Sequence, residues 1–473
     1  MNKLYTYIFC ILIVFPTDIM SQKLHYGEIR VKNIEELIIG VNEGKEGDLI
    51  KVMPGVYEFK VGQQLQPKDG MIILGEDVEL VTFTSHNTYK PGLEGLPANE
   101  VDQTKVNTEP YFFKLDNVSD VKISNITLTS SELHGAIFAN NCQLLEFSHL
   151  KVSDFVWSSI LTYDIKGFKI HNCNFRDAGG DVRWMGAAIF SNRTINGEFF
   201  NNKIYTTPGN NDKMVGFKAF GSDYCRIHHN TVDFAYGGFS VEYMHGNNHY
   251  IEIDHNHFNG TLSIPSSGKG GDSIPGGYSF WIHHNYFSES YTLEGPRSYI
   301  IVDSNYFDFP IEKDNGRLYT DHDDHKRAEV YGHMFFINNQ IKNPGRGIFW
   351  SKGGGDKFVY FLNNHVLANA TLAKREGPLL HFNDGTDFSV IQIKNNIVEC
   401  IGIARPLLNS EESRKSAVVE NNVLINVVDI NDIENPDTPL TSGISNPLNF
   451  RCGYKKEYLV EGWRLMYLGE VSE

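Results

Sequence analysis

The chain has 473 residues, 41% of them apolar and 21% charged, with a formal net charge of −16. That charge argues against nucleic acid and against an anionic membrane surface as partners; an acidic polysaccharide is still compatible, because a local basic groove fits on an acidic protein. The composition is that of a folded soluble protein, and the length exceeds one ordinary globular core but suits a solenoid that grows by stacking.

The chain opens with Met1-Asn2-Lys3, followed by the apolar run Tyr7 to Pro16 and by Ser21 and Gln22. The run is too short to cross a bilayer, and its flanks fit a secretory signal peptide over residues 1–22. No later stretch is long and apolar enough to span a membrane. The expectation is a secreted protein (extracellular, periplasmic or at the cell surface) whose residues 23–473 form one domain. Asn33-Ile-Glu-Glu-Leu-Ile-Ile-Gly-Val predicts an amphipathic cap helix. With Cys10 in the leader, Cys142, Cys173, Cys225, Cys400 and Cys452 are an odd set. They read as small core residues rather than a disulfide framework, and no CxxC pair suggests zinc.

The main signal is a repeated phrase: apolar, any, apolar, two variable residues, Asn, any, apolar. It reads Cys225-Arg-Ile-His-His-Asn230-Thr-Val232, Ile251-Glu-Ile-Asp-His-Asn256-His-Phe258 and Phe280-Trp-Ile-His-His-Asn285-Tyr-Phe287. Further copies end at Asn305, Asn339, Asn364, Asn396 and Asn422, and degenerate copies lie around Val121 to Leu128, Leu145 to Val152 and Phe168 to Phe175. Alternation at period two marks short strands. An Asn at one fixed turn position predicts a ladder of stacked amides. A second strand, opened by Gly, precedes many copies, as in Gly238-Phe-Ser-Val-Glu, Gly347-Ile-Phe-Trp and Gly377-Pro-Leu-Leu. The 43 Gly, 31 Phe and 23 Tyr suit such strands and their tight turns.

This pattern resembles the pectin-lyase-like superfold, the right-handed parallel β-helix of polysaccharide lyases, hydrolases, esterases and epimerases. The likeness covers roughly Val31 to Val427. Residues 85–110 and 310–328 read as insertions of the kind that wall a groove. The tail from Cys452 to Glu473 reads as a cap over the last coil. The fold class implied is an all-β solenoid with an asparagine ladder and an N-terminal cap helix.

In this fold the active site usually lies on the outer face of the Gly-led strand and the turn that follows it. Parity places Lys218 there, then Glu242 with Tyr243 and His245, then Glu294 and Arg297 two coils on. Glu329, Tyr331 and His333 follow, then Lys352, then His381 and Asn383, with Arg346 close by in sequence. Elimination on a uronate needs a base, a positive group and an acid for the leaving oxygen. Lys352, His245 or His333 suit the base, Arg297 or Arg346 the charge clamp, and Tyr243 or Tyr331 the acid. Lys218, Tyr331, Arg346 and His381 are candidate substrate contacts. Inverting hydrolysis instead needs two carboxylates, and Glu242 and Glu294 lie about two coils apart, roughly 9 to 10 Å between backbones.

A second outward face carries His228, Asp254, His283 and Asp303 in one column and Arg226, Glu252 and Trp281 in the next. It reads as a stabilising charge ladder, with a His–Asp catalytic pair or a metal site as the alternative. No motif demands a cofactor. The run Asp321-His-Asp-Asp-His325-Lys-Arg327 has ligand types for a divalent cation such as calcium, but reads as a solvated loop rimming the groove. The Gly268-Lys-Gly-Gly271 and Gly353-Gly-Gly355 stretches lack P-loop spacing and read as turns.

The expected function is therefore a monomeric, secreted polysaccharide lyase acting on an acidic glycan. An inverting glycoside hydrolase, a C5-epimerase and a non-catalytic glycan-binding β-helix are the alternatives. Trp281, Trp350 and Tyr360 are the aromatics available for sugar stacking in the last of these.

Overall fold

A computed structural model describes residues 27–60, 62–85, 111–155, 157–179, 186–208, 214–234, 239–243, 248, 250–264, 278–288, 293–294, 299–309, 319–320, 332–344, 347–351, 357–369, 377–382, 390–409 and 417–428. The strand order follows from the repeat. Val215–Phe220, Arg226–His228 and Thr231–Asp233 lie on three different sheets, and the next strand, Phe239–Tyr243, pairs in parallel with the first of them. Repeating this step builds sheet 1 from 15 strands and sheet 2 from 14; sheet 3 comes as a seven-stranded part followed by a four-stranded part. The result is a right-handed parallel β-helix.

Alternation decides what fills the helix. Ile227, Ile253, Ile282, Val302 and Phe336 are successive register partners in sheet 1, and all are buried in one continuous core. Cys142, Cys173, Cys225 and Cys400 are buried free thiols, as the sequence implied. Among the described residues no helix is long and apolar enough to cross a membrane.

The asparagines close the corner between sheets 1 and 2. Each amide from Asn202 to Asn396 donates from Nδ2 to Oδ1 of the Asn one coil on, at 2.8–3.1 Å. The same Oδ1 accepts the backbone N–H of the previous rung, as in Asn230 N to Asn256 Oδ1 at 2.9 Å. Asn202, which the repeat had not flagged, is the first amide rung. Below it Cys173 takes the ladder position and donates its backbone N–H to Asn202 Oδ1 at 3.0 Å. The residue before each rung turns the chain in the left-handed region, with φ 52–58° from His229 to Asn421. That requirement accounts for the His, Ser and Asn found there, residues with short polar or compact side chains.

The cap helix spans Ile34–Asn42, with Asn33 at its N-cap accepting from Glu36 N. Leu37 and Val41 bury its apolar face at the open end of the core. Two expectations need correction. Residues 310–328 are not wholly an excursion, because Tyr319–Thr320 form a rung of sheet 3. A two-residue strand is too short to leave a periodic signal. His333 belongs to Gly332–Ile337, which pairs in sheet 1 and not in sheet 3, so the outer face of sheet 3 does not carry it. The leading Gly resembled the start of a sheet 3 strand, but Met334 and Phe336 are the inward positions of the repeated phrase that ends at Asn339.

Candidate functional site

The outer face of sheet 3 has one central column. Its register runs Lys114, Phe138, Leu161, Phe190, Lys218, Glu242 and Ser263 on successive coils. Phe138, Leu161 and Phe190 are large apolar residues at outward parity. With Tyr111, Trp157, Ala187 and Val215 they make a buried cluster separate from the main core. The sequence signal was available in Ala136-Ile-Phe138, Ser159-Ile-Leu161 and Ala188-Ile-Phe190, where the outward position is apolar on three coils running.

Against this apolar wall sits an ion pair. Lys218 Nζ lies 3.0 Å from Glu242 Oε2, and the side chains are 1% and 11% exposed. The ammonium is also 5.6 Å from the centre of the Phe190 ring. Burial holds the Lys218 pKa below the usual lysine range, and the pull of Glu242 in the other direction does not cancel it. Lys218, expected as a substrate contact, is enclosed, and the carboxylate it pairs with is itself buried.

Tyr243 also differs from expectation. It pairs in register with Ala219, points into the core at 2% exposure, and packs edge-on against Phe280 at 4.9 Å. Burial raises its hydroxyl well above the ordinary tyrosine range. It is a core residue and does not face a leaving group; the strand runs on through it, so parity turns it inward.

Glu294 lies on Leu293–Glu294, in the four-stranded part of sheet 3. There the register Glu294, Thr320, Trp350, His381 forms one column. The structure thus brings Glu294 and the half-buried His381 onto one column of sheet 3, as the sequence implied. His245, Arg297, Tyr331, Arg346 and Lys352 lie outside the described residues.

His134, which carried no sequence signal, is buried at the start of a sheet 3 strand and meets Trp157 edge-on at 5.6 Å. Burial pushes its pKa down to about 4. The folded state therefore holds this ring neutral, whereas the unfolded chain protonates near pH 6.5. Its contribution to stability is complete above that pH and is lost as pH falls through about 4. The expected loss is about 3 kcal/mol. Urea midpoints between pH 7 and 4 should fall less steeply for His134→Phe than for the native chain, and parallel slopes would refute this.

The outer face of sheet 1 is organised differently. Lys122, Glu146, Lys169, Glu198, Arg226 and Glu252 alternate in sign along one column. Each Glu takes the cation of the coil before, at 2.8, 3.1 and 3.6 Å. Each also meets a histidine of the coil after: His171, His228 and His283, at 3.3, 3.3 and 3.0 Å. Glu252, Asp254 and His283 hold ligand atoms within 4.8 Å of one another. Arg226 already brings the positive charge there, with two 2.8 Å bonds to Asp254, and His255 adds a third at 2.7 Å. A network so completely satisfied by its own side chains fits the ladder reading better than a metal or catalytic one. Beyond it the face turns apolar: Trp281 is buried and Phe335 stacks on Tyr360 at 4.6 Å. The side chain of Trp350 lies outside the described residues.

No family model matches the chain, and no curated protein matches it. Among solved structures it is similar to the tailspike protein of Escherichia coli bacteriophage HK620 in complex with a pentasaccharide, at 12% identity and TM-score 0.53, covering 82% of this chain and 71% of that one. It is also similar to the catalytic domain of a GH87 alpha-1,3-glucanase in complex with nigerose, at 13% identity and TM-score 0.47, covering 72% of this chain. It spans 64% of that glucanase domain's length. A third likeness is to the A-module of the mannuronan C-5 epimerase AlgE4 of Azotobacter vinelandii, at 11% identity and TM-score 0.42, covering 88% of this chain and all of that one. At 12% identity the tailspike likeness bears on the fold alone, and it agrees with the strand order: the chain is a right-handed parallel β-helix.

Proposed function

We propose that this β-helix is a secreted enzyme that cleaves an acidic polysaccharide along the outer face of sheet 3, by β-elimination. The observation that carries the reading is the Lys218–Glu242 pair, an enclosed ion pair on a solenoid's outer face. Burying two charges beside an apolar wall is costly, and a purely structural face has no need of it. The pair's near-zero net charge lets an anionic chain approach, while Lys218 keeps the carboxylate of Glu242 fixed. In elimination a base takes the proton α to the uronate carboxylate, the bond to the leaving oxygen breaks as the ring double bond forms, and an acid protonates that oxygen. Glu242 is a proton-transfer group in this scheme. His245 and Lys352 are the other candidate bases, and Arg297 and Arg346 the candidate clamps for the uronate charge.

A second reading, inverting hydrolysis, is favoured by one feature. The strands of Glu242 and Glu294 are separated by the single intervening strand Thr261–Ser263, and two coils span about 9 to 10 Å.

The test is incubation of the purified protein with alginate, polygalacturonate, a glycosaminoglycan and a sulfated algal glycan. Ultraviolet absorbance from unsaturated uronate is the expected product signal with one of them. New reducing ends without that absorbance would replace elimination by hydrolysis, and no product from any would overturn the enzymatic reading.

A further inference from the structure

The corner between sheets 3 and 1 carries its own column. Leu144, Gly167, Asn196, Tyr224 and Tyr250 hold it on successive coils, each in the left-handed region, with φ of 53, 76, 57, 54 and 58°. The register of the neighbouring residues, Gln143 to Lys166 to Ile195 to Asp223, fixes the alignment. Gly and Asn adopt this conformation readily, whereas a bulky aromatic does so at a cost and only when its surroundings impose it. Here the fold places two tyrosines side by side where it uses Leu, Gly and Asn on the coils before.

Burial does not account for the choice. Tyr224 is 55% exposed. Its ring stacks on Tyr250 at 4.5 Å with 22° between planes. The backbone of this corner is rigid by other means: Asn248 Oδ1 takes Ser222 N–H at 2.9 Å, and Asp223 O takes Asn196 N–H at 3.1 Å. The two tyrosines belong to the same coils as Lys218 and Glu242, and half-buried Phe220 follows Lys218 on the strand leading to that corner. Apolar rings ending in hydroxyls, stacked where the coils that carry the Lys218–Glu242 pair enter sheet 1, match a pyranose: its C–H face packs on an aromatic ring and its hydroxyls take the polar tip.

We propose that Tyr224 and Tyr250 form a sugar-binding subsite that holds one pyranose residue of the polysaccharide on the two coils that carry the Lys218–Glu242 pair. This rests on the reading of sheet 3 as a glycan-processing face. The discriminating variant is Tyr224→Asn/Tyr250→Asn, because Asn196 already occupies the same column with the same backbone conformation. Native gels cast with alginate, polygalacturonate, a glycosaminoglycan or a sulfated algal glycan measure affinity by retardation. The native chain should be retarded by one of them. The variant should melt within a few degrees of the native chain, and its dissociation constant for that glycan should rise at least fivefold. Unchanged retardation, with or without a lowered melting point, would leave the tyrosines a structural stack and overturn the subsite alone. A native chain retarded by none would overturn the subsite together with the reading it rests on. If the double variant does not fold, Tyr224→Asn alone is held to the same two results.

Discussion

Asn285→Ala should cost about 3–5 kcal/mol of unfolding free energy, among the largest single effects in the chain. Asn285 is buried, and its amide works in both directions along the ladder. Oδ1 accepts the backbone N–H of Asn256 at 3.0 Å and its Nδ2 at 2.9 Å. Nδ2 donates to the carbonyls of Ile253 and His283 at 2.8 and 3.0 Å and to Asn305 Oδ1 at 3.0 Å. Alanine removes all of these at once: the buried backbone N–H of Asn256 loses its acceptor, at about 1–3 kcal/mol, and the other amide bonds are lost at about 1 kcal/mol each. Asn285→Asp should be nearly as damaging, because the carboxylate keeps the acceptor but loses the donor and is buried as a charge. Urea denaturation followed by circular dichroism measures both. A loss below about 1 kcal/mol for alanine would mean that the ladder contributes little beyond van der Waals packing.

Lys218 and Glu242 give the second large effect, and there stability and turnover part company. Lys218→Met leaves the buried Glu242 carboxylate without its ammonium, and Glu242→Leu leaves an enclosed ammonium without that carboxylate; each single change should cost about 3–5 kcal/mol. The double replacement, Lys218→Met/Glu242→Leu, removes both charges and extends the apolar wall of Phe138, Leu161 and Phe190. Its stability should return to within about 1 kcal/mol of the native chain or exceed it, as apolar substitutes for buried ion pairs often do. Turnover should not return, because loss of a proton-transfer group lowers rates by about 10²–10⁴. A structural pair predicts recovery of both.

Much of the architecture was legible because the repeat repeats. The phrase ending at Asn230, Asn256 and Asn285 records in one line the inward parity of sheet 1, the left-handed corner and the ladder. The columns His228–Asp254–His283–Asp303 and Arg226–Glu252–Trp281 followed directly from coil spacing. Where sheet 3 was misread, local pattern and stacking disagreed. Gly332 looks like the Gly of a sheet 3 strand, yet it opens a sheet 1 strand, and among the described residues the sheet 3 rung of that coil is Tyr319–Thr320. Tyr243 reads as a companion of Glu242 on the outer face, but the strand continues through it and carries the ring inward. The outward position of Lys218 was correct. Its enclosure depends on Phe190, a coil earlier, and on Glu242, a coil later, and residue type alone does not report that. His134 gave no signal because one buried histidine has no periodicity.

The direct test of the central claim is the rate of product formation by the Lys218→Met/Glu242→Leu protein on whichever of the four test glycans yields product with the native chain. The account requires a cooperatively unfolding, native-like protein whose rate is down at least a hundredfold. A native-like protein that still turns over at close to the native rate would move the chemistry away from this pair and off the outer face of sheet 3.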